Sequence, residues 1–169
     1  MVGDRGLIFL ELLRGSMNIN LQTHTEQQRE THTMEQYRRL VTVATKHYKK
    51  DNGFCTVIAT AIAMGCSFGA ARSRLYHLAG RKDGNGIQRN HHINAMTTMG
   101  YKMTLVTSEF KSKTLVTIQE EMANTTGTFF VYTRQHVTTI QNGICEDWSH
   151  NAIQPARYRI KCIYKVEGA

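Results

Sequence analysis

From residue 34 onward apolar residues recur at three- and four-residue spacing, and Tyr37, Leu40, Val41, Ala44 and Tyr48 would share one helix face. Asp51-Asn52-Gly53 is a turn signal that ends this helix. A second, more apolar helix is predicted at 55–64, burying Ile58, Ala61 and Ile62, and Cys55 falls in its first turn. Ser67 is placed to cap a third helix, in which Ala71, Leu75, Leu78 and Ala79 lie on one face and Gly80 supplies the stop. The polar run Arg81-Lys82-Asp83-Gly84-Asn85-Gly86 reads as a surface loop, and 88–99 as a weaker helix ending at Gly100.

The period then changes. Strand composition at 101–107 is followed by one more helix at 114–124, through Leu115, Ile118 and Met122, and by strands at 128–133, 135–141, 144–148 and 158–166. Helices first and an antiparallel sheet afterwards predict an α+β domain. Ahead of it, the short apolar run GLIFLELL at 6–13 gives way to NINLQTHTEQQRETHT, which has almost nothing to bury. Residues 1–33 are therefore expected to be a flexible arm or extension and 34–169 the folded domain, with Met17 and Met34 as alternative starts.

Composition bounds this picture without redirecting it. The 169 residues suit one domain, and 41% hydrophobic and 20% charged residues with a single Pro exclude the collagen-like and highly charged disordered classes. The run at 6–13 is too short to cross a bilayer, is interrupted by Glu11 and lacks a clean small-residue cleavage site, so neither a membrane span nor a signal peptide is expected. Cysteines at 55, 66, 145 and 162 show no zinc-ribbon pairing and are too few for a disulfide scaffold, which points to free thiols in the cytoplasm. Charge is uneven: residues 34–113 carry 13 Lys and Arg against 4 Asp and Glu, whereas 114–169 carry 5 against 5. A solvated basic face explains such an excess most simply, and a surface for nucleic acid or another acidic partner is the functional alternative.

Candidate chemistry enters through Asn142-Gly143, a strong hairpin signal because both central residues of the favoured turn need positive φ. A two-residue loop sets Gln141 opposite Ile144, Thr138 opposite Asp147 and His136 opposite Ser149. His136 and Asp147 become diagonal neighbours on one face, where a carboxylate can hold one imidazole nitrogen and leave the other to a third group. Cys55 is the proposed third group, since a thiol in a helix's first turn meets the positive end of the dipole and unpaired amides that favour thiolate and can receive an oxyanion. A nucleophile, a base, an orienting residue and oxyanion donors are the parts that nucleophilic acyl transfer needs.

The stretch DNGFCTVIATAIAMGCSFGAARSRLYHLAG, with Cys55 opening an Ala-rich helix, resembles the nucleophile helix of small papain-like cysteine peptidases, particularly the bacteriophage and bacteriocin-processing-peptidase-like branch. GTFFVYTRQHVTTIQNGICEDWS resembles that branch's His strand, turn and Asp strand, and RYRIKCIYKV its closing strand. The similarity of order and spacing covers about residues 51–166. It implies a papain-like fold with an N-terminal helical half packed on a C-terminal antiparallel sheet, and a Cys-His-Asp triad of Cys55, His136 and Asp147. Members of the family usually carry a Gln shortly before the Cys as oxyanion donor. Here none lies between 37 and 54, Asn52 is the nearest amide, and Phe54 and Thr56 flank the Cys where many members have Gly.

The implied activity is thiol hydrolysis of a peptide or isopeptide bond through a Cys55 thioester, by a viral or mobile-element protein acting on a protein or peptide substrate in the host cytoplasm or with the virion. No cofactor and no metal are expected. The rival is a catalytically inactive papain-like fold that binds a host factor or nucleic acid. Cys66, Cys145 and Cys162 read as structural thiols, with Cys145 the first competitor because it shares the face of His136 and Asp147. His91-His92 reads as a solvated pair, and Trp148 as a core residue or a shield over the His and Asp contact.

Overall fold

The computed structural model describes residues 35, 38–47, 53–82, 84–146 and 158–168. All but Glu35 belong to the unit Gln36–Ala169 into which backbone contacts divide the chain. The expected arm at 1–33 lies outside the described residues, as do Asn52, Asp147 and Trp148.

Among the described residues four helices come first: α1 over residues 38–47, α2 Cys55–Met64, α3 Phe68–Ala79 and α4 Arg89–Thr98. Strand β1 Lys102–Leu105, a 3-10 turn at Thr107–Glu109 and helix α5 Leu115–Glu121 lead to strands β2 Thr128–Tyr132, β3 Val137–Gln141, β4 Ile144–Glu146 and β5 Cys162–Glu167. The five strands form one antiparallel sheet in the order β1-β5-β2-β3-β4. The fold is α+β, with the helical half first and the sheet after it.

Helix α2 is apolar on every side and accordingly central, with residues 56–62 all buried. Val57, Ile58, Ala61 and Ile62 pack among Leu40 and Ala44 of α1 and Phe68, Ala71 and Leu75 of α3. Cys55, Ala59 and Ala63, at four-residue spacing, form a stripe of small side chains that packs on Phe130, Tyr132 and Val137 of the sheet. That small stripe brings α2 close to the sheet and aims Cys55 at the start of β3. The opposite face of the sheet, through Phe129, Val131, Ile140 and Ile163, packs on Leu115 and Ile118 of α5 and on Met122, which caps it. Burying a side chain such as Phe130 on one face or Ile163 on the other contributes about 1.5–3 kcal/mol, so the sheet is fixed from both sides.

Local signals behave as their chemistry dictates, with three corrections. Ser67 Oγ accepts from Ala70 N–H and Gly80 ends α3 in the left-handed region. Leu78, expected on the buried face of α3, is 44% exposed. Arg81, expected in a surface loop, is 3% exposed and donates to the Gly53 carbonyl at 3.3 Å. The last strand begins later than the pattern suggests, because Ile160 N–H goes to Lys113 O and Lys161 N–H to Tyr132 O before regular pairing starts at Cys162.

The Asn142-Gly143 turn has the expected two-residue loop, with φ of 51° and 80°, and pairs Gln141 with Ile144, Ile140 with Cys145 and Thr139 with Glu146. Gly143 is demanded twice over, by its φ and by the carbonyl of Ala123, which occupies the space a Cβ would fill. Asn142 also binds across to Gly127, whose N–H donates to its Oδ1 at 3.0 Å.

Candidate active site

Cys55 and His136 meet where α2 begins and β3 is about to begin. The thiol and the imidazole share a hydrogen bond, and the backbone N–H groups of Val137 and Thr56 also donate to the sulfur. Burial alone pushes the Cys55 thiol up. The His136 hydrogen bond and charge, with the two amides, outweigh it, and the net direction is down. Cys66 and Cys162 move the other way, each pushed up by burial despite a nearby arginine. Of these three thiols, only Cys55 is shifted toward the nucleophilic form.

The backbone explains the position of His136. Its carbonyl accepts both the N–H of Thr133 at 2.8 Å and the Thr133 hydroxyl at 3.3 Å, which clamps the Arg134-Gln135 turn between β2 and β3. Strict alternation would place His136 on the α5 face with Thr138, while Cys55 packs on the opposite face. The two reach each other because His136 lies one residue outside the regular ladder, at the end of the sheet rather than over either face. Tyr158 stacks against the imidazole, with ring centroids 6.0 Å apart and planes at 30°. It covers one face of the ring.

A cavity of about 320 Å³ opens beside the pair. Cys55, Tyr132 and His136 contribute to its wall, with Gln88 and Arg89 from the start of α4 and Arg134 from the hairpin turn. The loop before α4 is held against the nucleophile segment at Gly53, where an added Cβ would stand 2.5 Å from the amide nitrogen of Gly86. Thr56 also lines the cavity, and its buried hydroxyl has no hydrogen-bond partner among the described residues. With the first-turn amides of α2, which no side chain caps, it provides donors beside the sulfur.

Of the four residues expected in the site, the structure brings together Cys55 and His136. Asp147 and Asn52 lie outside the described residues. The hairpin register, however, is the one that motivated Asp147. Thr138 Oγ1 lies 3.6 Å from Cys145 Sγ across the same diagonal that His136 and Asp147 would occupy one step further along. Cys145, the named competitor, is thus engaged by a threonine two residues past the histidine.

Sequence reasoning missed Gln88, Arg89 and Arg134, which line the cavity, and Tyr158, which stacks on His136, because no local period marks such contacts. It also misread His92. His91 is exposed, but His92 is fully buried, with Thr60 Oγ1 at 2.8 Å from Nε2 and the Tyr132 hydroxyl at 2.8 Å from Nδ1. The neutral ring donates through one nitrogen and accepts through the other, and burial pushes its pKa down to about 3. The signal was present: His92, Ala95, Met96 and Met99 follow helical spacing, and the first three are buried. No group of three or more His, Cys, Asp or Glu among the described residues is placed to hold a metal ion.

No protein-family model, curated protein or solved structure matches the chain significantly. The site's chemistry therefore rests on its own geometry.

Proposed function

We propose that the protein is a papain-like thiol hydrolase that cleaves a peptide or isopeptide bond through a Cys55 thioester. The observation that carries this reading is the hydrogen-bonded Cys55 and His136 pair at the start of a buried helix, with the thiol shifted down against its burial. Structural cysteines in apolar surroundings shift the other way.

In the proposed reaction the Cys55 sulfur, as thiolate, attacks the substrate carbonyl carbon. The carbonyl electron pair moves onto oxygen, where the uncapped amides of the first turn of α2 receive the charge. Collapse breaks the C–N bond as the His136 imidazolium gives its proton to the departing amine, leaving a thioester and a neutral ring. That ring then takes a proton from water as the hydroxyl adds to the thioester carbon, and the thiolate leaves with the carboxylic acid product released. Asp147 is the orienting residue of this reading, supported by the Gln141 to Ile144 register that leads toward it. Asn52, three residues before the nucleophile, is its side-chain oxyanion donor.

Selective alkylation tests the reading. Iodoacetamide at pH 6 should modify Cys55 well ahead of Cys66, Cys145 and Cys162, followed by tryptic mass spectrometry of each peptide. Equal labelling of all four, or protection of Cys55 until the chain unfolds, overturns the activated thiolate and with it the hydrolase.

A further inference from the structure

The described residues give the cavity beside Cys55 a basic lining. Among the described residues that line it, two are arginines and none is Asp or Glu. Arg89 opens α4 and turns inward, where one of its N–H groups donates to Cys162 Sγ at 3.3 Å. Cys162 is buried on β5 and paired with Tyr132 in the sheet, so this contact tethers the otherwise exposed Arg89 to the cavity wall. A neutral thiol does not neutralise it. A guanidinium carries five N–H donors in a planar fork, and this contact uses one. Among the described residues no carboxylate pairs with Arg89 or with Arg134, which stands exposed on the hairpin turn next to the catalytic pair. Helices α2 and α4 also both begin at this cavity without a side-chain cap, so their positive ends add to the field of the arginines.

A cation held at the wall of a cavity beside a nucleophile, with no carboxylate partner among the described residues, suits a carboxylate on the substrate. Arg binds carboxylates through paired N–H donors, and such charge-assisted bonds discriminate sharply against the uncharged isostere. We infer that Arg89, assisted by Arg134, selects substrates bearing an acidic side chain, Asp or Glu, on the acyl side of the scissile bond. This rests on the reading of Cys55 as the nucleophile. Arg89 fixes the carboxylate and Arg134 draws it in from the rim.

The test uses the full chain and peptide fluoromethyl ketones, which alkylate a thiolate without turnover. Two isosteric pairs suffice: acetyl-Ala-Ala-Glu against acetyl-Ala-Ala-Gln, and acetyl-Ala-Glu-Ala against acetyl-Ala-Gln-Ala. In one pair the Glu probe should label Cys55 about tenfold faster than its Gln twin, the effect of one charge-assisted hydrogen bond. Which pair responds locates the acidic residue. The ratio of the two rates is the readout, so a general change in thiol reactivity cancels. Arg89→Gln should bring it near one, Arg89→Lys should retain part of it, and Arg134→Gln, on an exposed turn that tolerates substitution, should lower it about threefold. Rapid labelling with no preference for Glu in either pair, or a preference that survives both Arg89→Gln and Arg134→Gln, overturns this inference and leaves the hydrolase standing. Failure of Cys55 to label ahead of the other thiols with any probe overturns both.

Discussion

Two histidines of one domain live under opposite regimes. His92, inside the seam between α2, α4 and the sheet, is bracketed by two hydroxyls, stacks at 5.2 Å on Phe130 and is held neutral by burial. His136, at the end of the sheet, is half-buried, touches a thiol and has a cavity beside it. The residue type is the same and the partners decide the role. Hydroxyls in a dry seam need a ring that donates once and accepts once, and they gain nothing from its charge. A thiol among helix amides gains from a cationic ring, because the pair can then separate charge. Tyr132 joins the two regions, since its hydroxyl is fixed by His92 while its residue forms part of the cavity wall. The seam is therefore the support of the site, and the pair at its edge is the part proposed to react.

The strongest way to break this comparison is to remove each ring in turn. His136→Ala should lower Cys55-dependent peptide hydrolysis about a thousandfold, the scale of a lost general acid and base, and should slow iodoacetamide labelling of Cys55 at pH 6. His92→Gln, which can still bond both hydroxyls, should lower hydrolysis no more than about threefold through the wall of the cavity. Comparable losses in both variants, measured as kcat/KM on one peptide, would abolish the distinction between reactive edge and supporting seam.

Acid unfolding sharpens it from the other side. The folded pKa of His92 is depressed to about 3 from an ordinary 6.5. Above pH 6.5 the ring is neutral in both folded and unfolded chains and adds no pH dependence. Between 6.5 and 3 the unfolded chain binds a proton that the folded one refuses, so stability falls as pH falls through that window. The loss attributable to this group reaches about 4 kcal/mol near pH 3. Urea unfolding of the wild type and His92→Gln at pH 7, 5 and 3.5 should show a shallower decline in the variant. Parallel declines would mean the ring is protonated in the seam and the network is drawn wrongly.

How much of this was legible in the sequence follows from the range of each interaction. The α2 helix, the Ser67 cap, the Gly80 stop and the Asn142-Gly143 turn depend on neighbours a few residues away, and these were readable with their register. Cys55 and His136 are 81 positions apart, yet each had a local signature, a helix start and a hairpin counted outward from its turn. Arg81 and Arg89 had none. The burial of Arg81 comes from a loop folded back on Gly53 and the tether of the exposed Arg89 from a thiol on the last strand, and no local period encodes such contacts. Leu78 failed for the complementary reason: helical spacing shows which residues share a face, but not how far the neighbouring element extends to cover it.

A smaller effect tests the orienting residue. With Asp147 as the proposed orienting residue, Asp147→Asn should lower hydrolysis between about tenfold and a hundredfold, because on that proposal the imidazole would lose the charge that favours its cationic form and the bond that fixes its tautomer. Glu146→Gln should be nearly silent, since the register pairs Glu146 with Thr139, one position short of the diagonal proposed to lead from His136 to Asp147. If Glu146 were the sensitive position and Asp147 the silent one, the strand after the turn would depart from the register set by Gln141 and Ile144, and His136 would take its orientation from elsewhere.

The smallest expected change separates two causes of the same proximity. Tyr158 could matter by excluding water from the Cys55 and His136 bond or by stabilising the imidazolium with the face of its ring. Its residue is 38% exposed, so the second contribution is about 0.5–1 kcal/mol, two- to fivefold in rate. Tyr158→Phe keeps an aromatic face and should label at the wild-type rate at pH 6. Tyr158→Leu keeps apolar cover but removes the face, and should label two- to threefold more slowly with iodoacetamide. Equal rates in Phe and Leu variants would assign Tyr158 to water exclusion alone. The contrast with His92 then sharpens: Phe130 stacks on a ring that stays neutral, whereas Tyr158 stacks on one that must carry charge, so only the second stack should be sensitive to the loss of its aromatic character.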